Sequence, residues 1–350
     1  MNKFHTLQVK KVSKVTSDSV SITFEIPQSL EESFKFSAGQ YITLRKEING
    51  ENIQRAYSIW KAPYENEVAV LVKKVENGKF SSFANDALSN GDFLEVMAPQ
   101  GNFVPILSAN DTKHYTLVAA GSGITPVFSI LKEIVKIEPN STIDLFYSNK
   151  TEESSIFHAE IMEFKSDKVK VHNFYSRQDT DDVVFNGRIT ESKINEIIQS
   201  GLCKLSTDEF YICGPEEMIL GIKSSLVSQN VSESKINVEL VTASADPGAE
   251  PIETDFSEAK ITLTIDDDDF EYTYNMDKAD SILEEGINQG LDLPYSCKGG
   301  VCCTCKAKIT EGSATMKINY ALTDGEVEEG YVLTCQAIPT SSKVSVNYDE

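Results

Sequence analysis

The chain has 350 residues, room for two or three domains at roughly 100–200 residues each. Hydrophobic residues make up 40% and charged residues 25%, the usage of a folded protein rather than a disordered one. With 32 basic against 54 acidic residues the net charge is −22, which argues against a nucleic-acid-binding face and against docking on an anionic membrane.

The longest uncharged stretch, residues 115–131, is interrupted by Gly121, Ser122, Gly123, Thr125 and Pro126, and it is too short to cross a bilayer. The start, MNKFHTLQVKKVSK, has no apolar core before a small-residue cleavage site, so a cytoplasmic protein is expected. Seven cysteines, four of them within residues 297–305, make a poor disulfide framework and point to metal binding or redox chemistry.

Residues 1–108 read as short strands: TLQVKKVSKV, SVSITFEI, QYITLRKEI, AVLVKKVE and DFLEVMAP. Asn49-Gly50, Asn77-Gly78 and Asn90-Gly91 punctuate them, which predicts an antiparallel barrel. A short helix is expected at about residues 82–88, with Ser81 as its N-cap. Arg55-Ala-Tyr57-Ser58 is expected to follow a barrel strand. Lys73 ends the next apolar strand, and Gly78-Lys79-Phe80-Ser81 opens the helix. Together these suit a flavin dinucleotide. Tyr57 can stack on the ring, Ser58 can bond its redox edge, Arg55 can pair with the pyrophosphate, and the helix N-terminus adds anion donors. Val72 joins this set as the residue before Lys73. The plainer alternative is a barrel strand with an exposed Arg and a core Tyr.

Over residues 109–242 strands and helices alternate, which predicts a parallel sheet with crossover helices. HYTLVAAG, STIDLFYS, KVHNFYS and EFYICG are the strands. Helices are expected around PVFSILKEIVKIE and near 155–165, 190–199 and 215–229. Gly121-Ser-Gly123-Ile-Thr125-Pro126 lies between a buried strand and a helix, where a nucleotide phosphate meets a helix N-terminus; its alternative is a plain strand-to-helix turn. Cys213-Gly214-Pro215 ends the last clear strand on the same carboxyl edge, where open α/β sheets bind ligands. Ser176-Arg177 ends another strand. Arg177, helped by Lys150, could pair with a 2′-phosphate and favour NADPH, with NADH possible; a solvated basic residue is the alternative for each. Tyr57, Ser58 and Cys213 are the candidate catalytic residues.

Residues 243–257, ASADPGAEPIETDFS, have little to bury and read as a flexible linker. In residues 258–350 a hairpin, ITLTIDDDDFEYTYN, is expected to close on the acidic run Asp266 to Asp269. A helix follows near SILEEGINQG, then a cysteine loop, then the strand KAKIT. This segment holds 18 acidic and 7 basic residues, either a solvated surface or a docking face for a basic partner.

The sharpest signal is Cys297-Lys-Gly-Gly-Val-Cys302-Cys-Thr-Cys305 with Cys335 further on, the plant-type ligand spacing of a [2Fe–2S] cluster. Gly299 and Gly300 let the backbone wrap tightly, so that its N–H groups can reach the cluster sulfides. Zinc would fit Cys302-x2-Cys305 alone, but not the four-residue gap before it. Cys303 is surplus and is expected to be an ordinary small loop residue, with substitute ligation or oxidation as alternatives. Cys203 is expected to be a buried structural residue.

These motifs resemble the ferredoxin–NADP reductase superfamily with a plant-type ferredoxin fused at the C-terminus. Within it the chain resembles more closely the family of reductase subunits of bacterial phenylacetyl-CoA epoxidase (ring 1,2-epoxidase) complexes. The supporting stretches are Phe4-His5-Thr6-Leu7, LEVMAPQGNF (94–103), AAGSGITP (119–126), GRI (187–189), FYICGP (210–215), LPYSCKGGVCCTCKAK (293–308) and GYVLTCQAIP (330–339). The resemblance implies an antiparallel β-barrel FAD domain, an α/β parallel-sheet NAD(P) domain and an α+β ferredoxin domain. It also implies FAD, NAD(P)H and one [2Fe–2S] cluster, and a di-iron oxygenase component that holds the aromatic thioester as partner. Another multicomponent oxygenase, a desaturase or a hybrid-cluster protein is the alternative acceptor. A flavin-free redox sensor or a zinc-stabilised module is the alternative class. The chain departs from its relatives in having Ala56 where Cys is common, Cys303 where Ala or Ser is common, and Leu240-Val241 where an aromatic residue often stands.

Overall fold

The computed structural model describes residues 3–241 and 254–350; residues 243–253 of the expected linker lie outside them. The first unit is built from strands β1 (Phe4–Thr16), β2 (Ser19–Glu25), β3 (Tyr41–Ile48), β4 (Glu51–Ser58) and β5 (Ala69–Lys73), helix α1 (Lys79–Asp86) and strand β6 (Phe93–Met97). The six strands form one antiparallel sheet in the order β4-β3-β6-β1-β2-β5, and a bridge between Ile59 and Val70 brings its two edges together. Alternate residues such as Leu7, Ile22, Ile42, Leu44, Val70 and Val96 fill the barrel. Asn49 and Gly50 both take positive φ, 55° and 79°, the geometry of a two-residue hairpin turn whose twist matches its strands.

Two expectations are corrected here. Arg55-Ala-Tyr57-Ser58 does not follow a strand; it is the last half of β4. Helix α1 starts at Lys79 with Gly78 as N-cap. Ser81 is not a cap, because its hydroxyl donates to the Gly78 carbonyl and accepts from the Val75 N–H, both at 3.2 Å, and so pins the preceding loop.

The second unit contains β7 (His114–Ala120), α2 (Ile124–Ile137), β8 (Thr142–Asn149), α3 (His158–Glu163), β9 (Val169–Tyr175), α4 (Glu191–Gln199), β10 (Glu209–Gly214), α5 (Glu216–Ser228) and β11 (Ile236–Leu240). Its sheet is parallel throughout, in the order β11-β10-β7-β8-β9. The chain leaves central β7 toward β8 and returns on the other side as β10, so the crevice beyond the carboxyl ends of β7 and β10 is the place where such sheets take ligands. Strand β11 escaped the sequence reading, because INVEL is short and follows a helix without a strong turn signal.

The third unit comprises β12 (Glu258–Ile265), β13 (Asp268–Asn275), α6 (Ile282–Asn288), β14 (Lys306–Glu311), β15 (Ala314–Met316), α7 (Asp324–Glu328), β16 (Tyr331–Leu333), β17 (Ala337–Pro339) and β18 (Lys343–Asn347). A mixed five-stranded sheet, β13-β12-β18-β14-β16, is accompanied by the pair β15-β17. The expected β12–β13 hairpin forms, but Asp266 and Asp267 alone make its turn, at φ 53° and 64°, while Asp268 and Asp269 belong to β13. The Asp349 carboxylate accepts both turn N–H groups at 3.0 Å. This unit has its own core around Ile261, Leu263, Leu283, Leu333 and Val344. Among the described residues no helix is long and apolar enough to cross a membrane.

Candidate active site and cluster loop

Strand β4 carries Arg55, Tyr57 and Ser58 to the end of the barrel. The Tyr57 ring lies 5.6 Å from that of Phe80 in the first turn of α1, so the strand end and the helix N-terminus are neighbours. Burial pushes the Tyr57 phenol well above its ordinary range, which keeps it neutral. Arg55 is exposed and its guanidinium donates to the Gln54 carbonyl at 2.7 Å. Lys79 pairs with Glu51, and Lys73 with Asp18 at 3.5 Å. Val72 and Phe80 point into the barrel core, so their main chain is what they can offer a ligand. A neutral aromatic ring, a strand-end hydroxyl and a helix N-terminus with basic neighbours fit a flavin dinucleotide.

The glycine turn Gly121–Gly123 leads into α2. A side chain at Gly123 would place its first carbon 2.4 Å from the Cys213 carbonyl oxygen, so only glycine lets this turn close on β10. Thr125 donates to the Ser122 carbonyl at 2.9 Å and thereby locks the turn, and Pro126 is buried in the helix. Cys213 is fully enclosed and its thiol is held well above the usual thiol range by burial. It is a neutral surface, not a thiolate nucleophile.

Across the ladder, Cys213 is paired with Glu239 of β11. The Glu239 carboxylate accepts the Ser58 hydroxyl at 3.0 Å. Desolvation raises the Glu239 pKa to about 7, against the smaller opposite effect of the Ser58 hydrogen bond. The structure thus brings the expected Ser58 and Cys213 together around a carboxyl group that sequence reasoning missed, because its strand was missed. Leu240 is buried and Val241 is 44% exposed. Val241 lines the neighbouring crevice.

The crevice itself has a volume of about 880 Å³ and is lined by Gly121, Lys150, Ser176, Arg177, Arg188 and Pro215 among others. Lys73 reaches it from the barrel. Arg188 is a further miss. It sits in the GRI stretch noted in the sequence, but neither spacing nor composition gave it a role; only the fold places it in one crevice with Arg177.

In the third unit Cys297, Cys302, Cys305 and Cys335 converge. The Cys297 and Cys302 sulfurs are 3.2 Å apart, and Cys335 lies within hydrogen-bonding reach of Cys297 and Cys305. Hydrogen bonds from Cys302 and Cys335, and from the Gly299 N–H at 3.4 Å, hold the Cys297 thiol far below its ordinary value. Gly300, at φ 72°, could not carry a side chain without meeting the Ile318 carbonyl at 2.8 Å. The Gln336 amide clamps the loop by donating to the Lys298 carbonyl at 2.9 Å. Three sulfurs of one loop and the Cys335 sulfur, with main-chain N–H donors turned toward Cys297, fit the donor set of a [2Fe–2S] cluster. Among the described residues no group of three side chains is spaced around one point for a single metal ion; a two-iron cluster divides its thiolates between two centres. Cys303 is buried and turned away, with its thiol 3.6 Å from the Ala321 carbonyl. Burial pushes it up to about 12. Cys203 is buried in the core of the second unit.

Three family models match in chain order: an oxidoreductase FAD-binding domain at residues 6–104, an oxidoreductase NAD-binding domain at 117–224 and a 2Fe-2S iron-sulfur cluster binding domain at 265–340. A component of the 1,2-phenylacetyl-CoA epoxidase of Escherichia coli (strain K12) is 36% identical over 352 residues, covering 100% of this chain and 99% of that protein. The chain belongs to the ferredoxin–NADP reductase superfamily, in the branch with a fused plant-type ferredoxin. The ferredoxin reductase component of 3-ketosteroid-9-alpha-monooxygenase from Mycobacterium tuberculosis (strain CDC 1551 / Oshkosh) is 28% identical, over 98% of this chain and 96% of that one. The phthalate dioxygenase reductase structure shares the fold, with a TM-score of 0.58 and 23% identity over 99% and 98% of the two chains. The protein is therefore an NAD(P)H-dependent oxidoreductase with FAD and [2Fe–2S] cofactors. These matches leave the flavin-free and zinc-stabilised readings without support.

The raised Glu239 pKa gives the reductase a pH signature. A carboxyl that is protonated in the folded chain, but not in the unfolded one, costs stability as pH rises from about 4.5 to about 7, and the full cost then persists at higher pH. Glu239→Gln should therefore raise the melting temperature at pH 8 and leave it nearly unchanged at pH 4.5. Calorimetry at the two pH values checks this, and an equal shift at both would refute it.

Proposed function

We propose that this reductase takes electrons from NADPH and delivers them singly to the di-iron oxygenase component of a phenylacetyl-CoA epoxidase. The observation that carries the electron path is the meeting of Ser58, Cys213 and Glu239, with the cluster loop beside them. A junction cavity of about 220 Å³ is lined by both Glu239 and Cys302. The full-length 36% identity to the epoxidase component supports the choice of acceptor. The similarity to a steroid monooxygenase reductase over nearly the whole chain supports a second reading, a different oxygenase partner. A cytoplasmic location suits an acceptor of this kind.

A bound flavin would supply hydride acceptance from the nicotinamide, and a bound cluster would supply one-electron transfer onward. The chain's own groups arrange this. Tyr57 would offer a ring face, and Arg55 with the N-terminus of α1 would bind the pyrophosphate. Ser58 and Glu239, joined by a hydrogen bond, would hold a proton for the redox edge of a bound flavin, since the Glu239 pKa is raised to about 7. The Gly121–Gly123 turn and the Cys213-Gly214-Pro215 edge receive the nicotinamide nucleotide. Arg177, Arg188 and Lys150 form a basic rim for a 2′-phosphate. Cys297, Cys302, Cys305 and Cys335 ligate the cluster. We take the units as residues 1–108, 109–242 and 258–350, joined by 243–257.

The deciding experiment is reconstitution with purified epoxidase subunits. NADPH oxidation should become coupled to thioester oxidation, and failure with these subunits alongside success with another oxygenase would move the assignment to the second reading. A chain ending at Val241 should keep NADPH–ferricyanide reduction and lose most transfer to the protein acceptor, because the third unit has its own core. Full acceptor activity in the short chain would defeat the relay.

Cys335→Ser should abolish or strongly alter the visible and EPR signature of the cluster while FAD stays bound, whereas Cys303→Ser should leave both near normal. Arg177→Ala should raise the KM for NADPH about tenfold, the loss of one charge-assisted bond. The KM for NADH should change little, and equal effects on the two would remove the 2′-phosphate role.

A further inference from the structure

The β3–β4 hairpin has two faces, and its outward face is covered by the segment that carries the cluster cysteines. Residues of one strand that alternate by two share a face. Tyr41, Thr43 and Arg45 of β3 stand opposite Ser58, Ala56 and Gln54 of β4 in the ladder. Each of the three β3 residues meets the third unit. The Cys303 N–H donates to the Tyr41 hydroxyl at 2.7 Å. The Thr43 and Thr304 hydroxyls are bonded at 3.0 Å. Arg45 pairs with Asp292 at 3.0 Å. From β4, the Ala56 N–H donates to the Ser296 hydroxyl at 2.5 Å, and the Gln54 side-chain carbonyl accepts the Tyr295 N–H at 3.1 Å. The opposite face of the same hairpin holds Ile42, Leu44 and Tyr57.

These contacts are buried. Thr43, Gln54 and Thr304 are at most 1% exposed and Tyr41 is 5% exposed. Room for the Tyr41 ring is made by Gly101, where a side chain would begin 3.1 Å from the ring carbons. From the other side Val301 of the same loop packs on the core of the second unit. The half of the loop from Val301 to Thr304 is therefore held by both neighbouring units.

We propose that the outward face of the β3–β4 hairpin is a built seat for the cluster loop, and that Tyr41 is its positioning residue for electron transfer from flavin to cluster. Tyr41 is not among the residues assigned to hold either cofactor. It fixes the backbone between two cluster ligands to the strand pair whose other face carries Tyr57. One electron leaves the reduced flavin and one ferric ion of the cluster gains it; no bond forms or breaks in the seat. The proposal rests on the reductase reading. Ferricyanide reduction by the unaltered chain reports that reading separately.

The test is Tyr41→Phe in the full chain, which removes only the acceptor oxygen. Hydrogen–deuterium exchange of the peptide spanning 296–305, followed in the chain stripped of flavin, should rise about tenfold, the worth of one buried hydrogen bond. In the loaded protein, NADPH-driven bleaching of the cluster should slow by a similar factor. FAD content and NADPH–ferricyanide reduction should stay within about twofold. Gln54→Ala, which takes away the acceptor for the Tyr295 N–H, should act in the same direction. If either exchange or cluster reduction is unchanged in Tyr41→Phe, the seat is overturned as a positioning device. Loss of FAD and ferricyanide activity in step with cluster reduction overturns it equally, since Tyr41 would then be part of the barrel's fabric.

Discussion

A strand turns successive side chains to opposite sides, and in this protein one strand pair packs on the barrel core with one face and on the third unit with the other. The inward side of β3–β4 belongs to the barrel core and to Tyr57. The outward side is taken up by residues 292–304 of the ferredoxin unit. Register therefore matters more here than elsewhere. A slip by one residue would send Tyr41 and Thr43 into the core and Ile42 into the junction. The Asn49-Gly50 turn, with both residues at positive φ, fixes that register.

Burial sets the chemistry around this layer. Cys213 and Glu239 are neighbours on adjacent parallel strands, and desolvation pushes both toward their neutral forms. The cluster loop works the other way. Its thiols are gathered so closely that one is driven toward the thiolate, helped by a main-chain N–H, as a metal-binding loop requires. The large acidic surplus stays on the surface, where pairs such as Lys260–Glu271 and Lys343–Glu311 are more than half exposed and add little to stability.

The signals legible in the sequence were those that chemistry ties to local spacing. The C-x4-C-x2-C run needs only nine residues to be recognised, and a glycine turn between a strand and a helix is equally local. Reading went astray where a polar residue does a job other than its commonest one. Ser81 sits where a cap is usual, yet it pins a loop. The run Asp266–Asp269 looks like one long loop, yet two of its residues are strand, because the turn needs only two positive φ values and Asp349 supplies the acceptors.

The sequence by itself determined the three units, their order and the cofactor classes, since each is encoded by contiguous residues or by a short spacing. Tertiary structure decided what stands beside what. Glu239 lies 181 positions from Ser58 and Cys303 lies 262 from Tyr41, and no local pattern relates such residues. Their meeting follows from the strand order β11-β10-β7 and from the docking of one unit on another. Those are set by the sum of many packing contacts, not by any one motif.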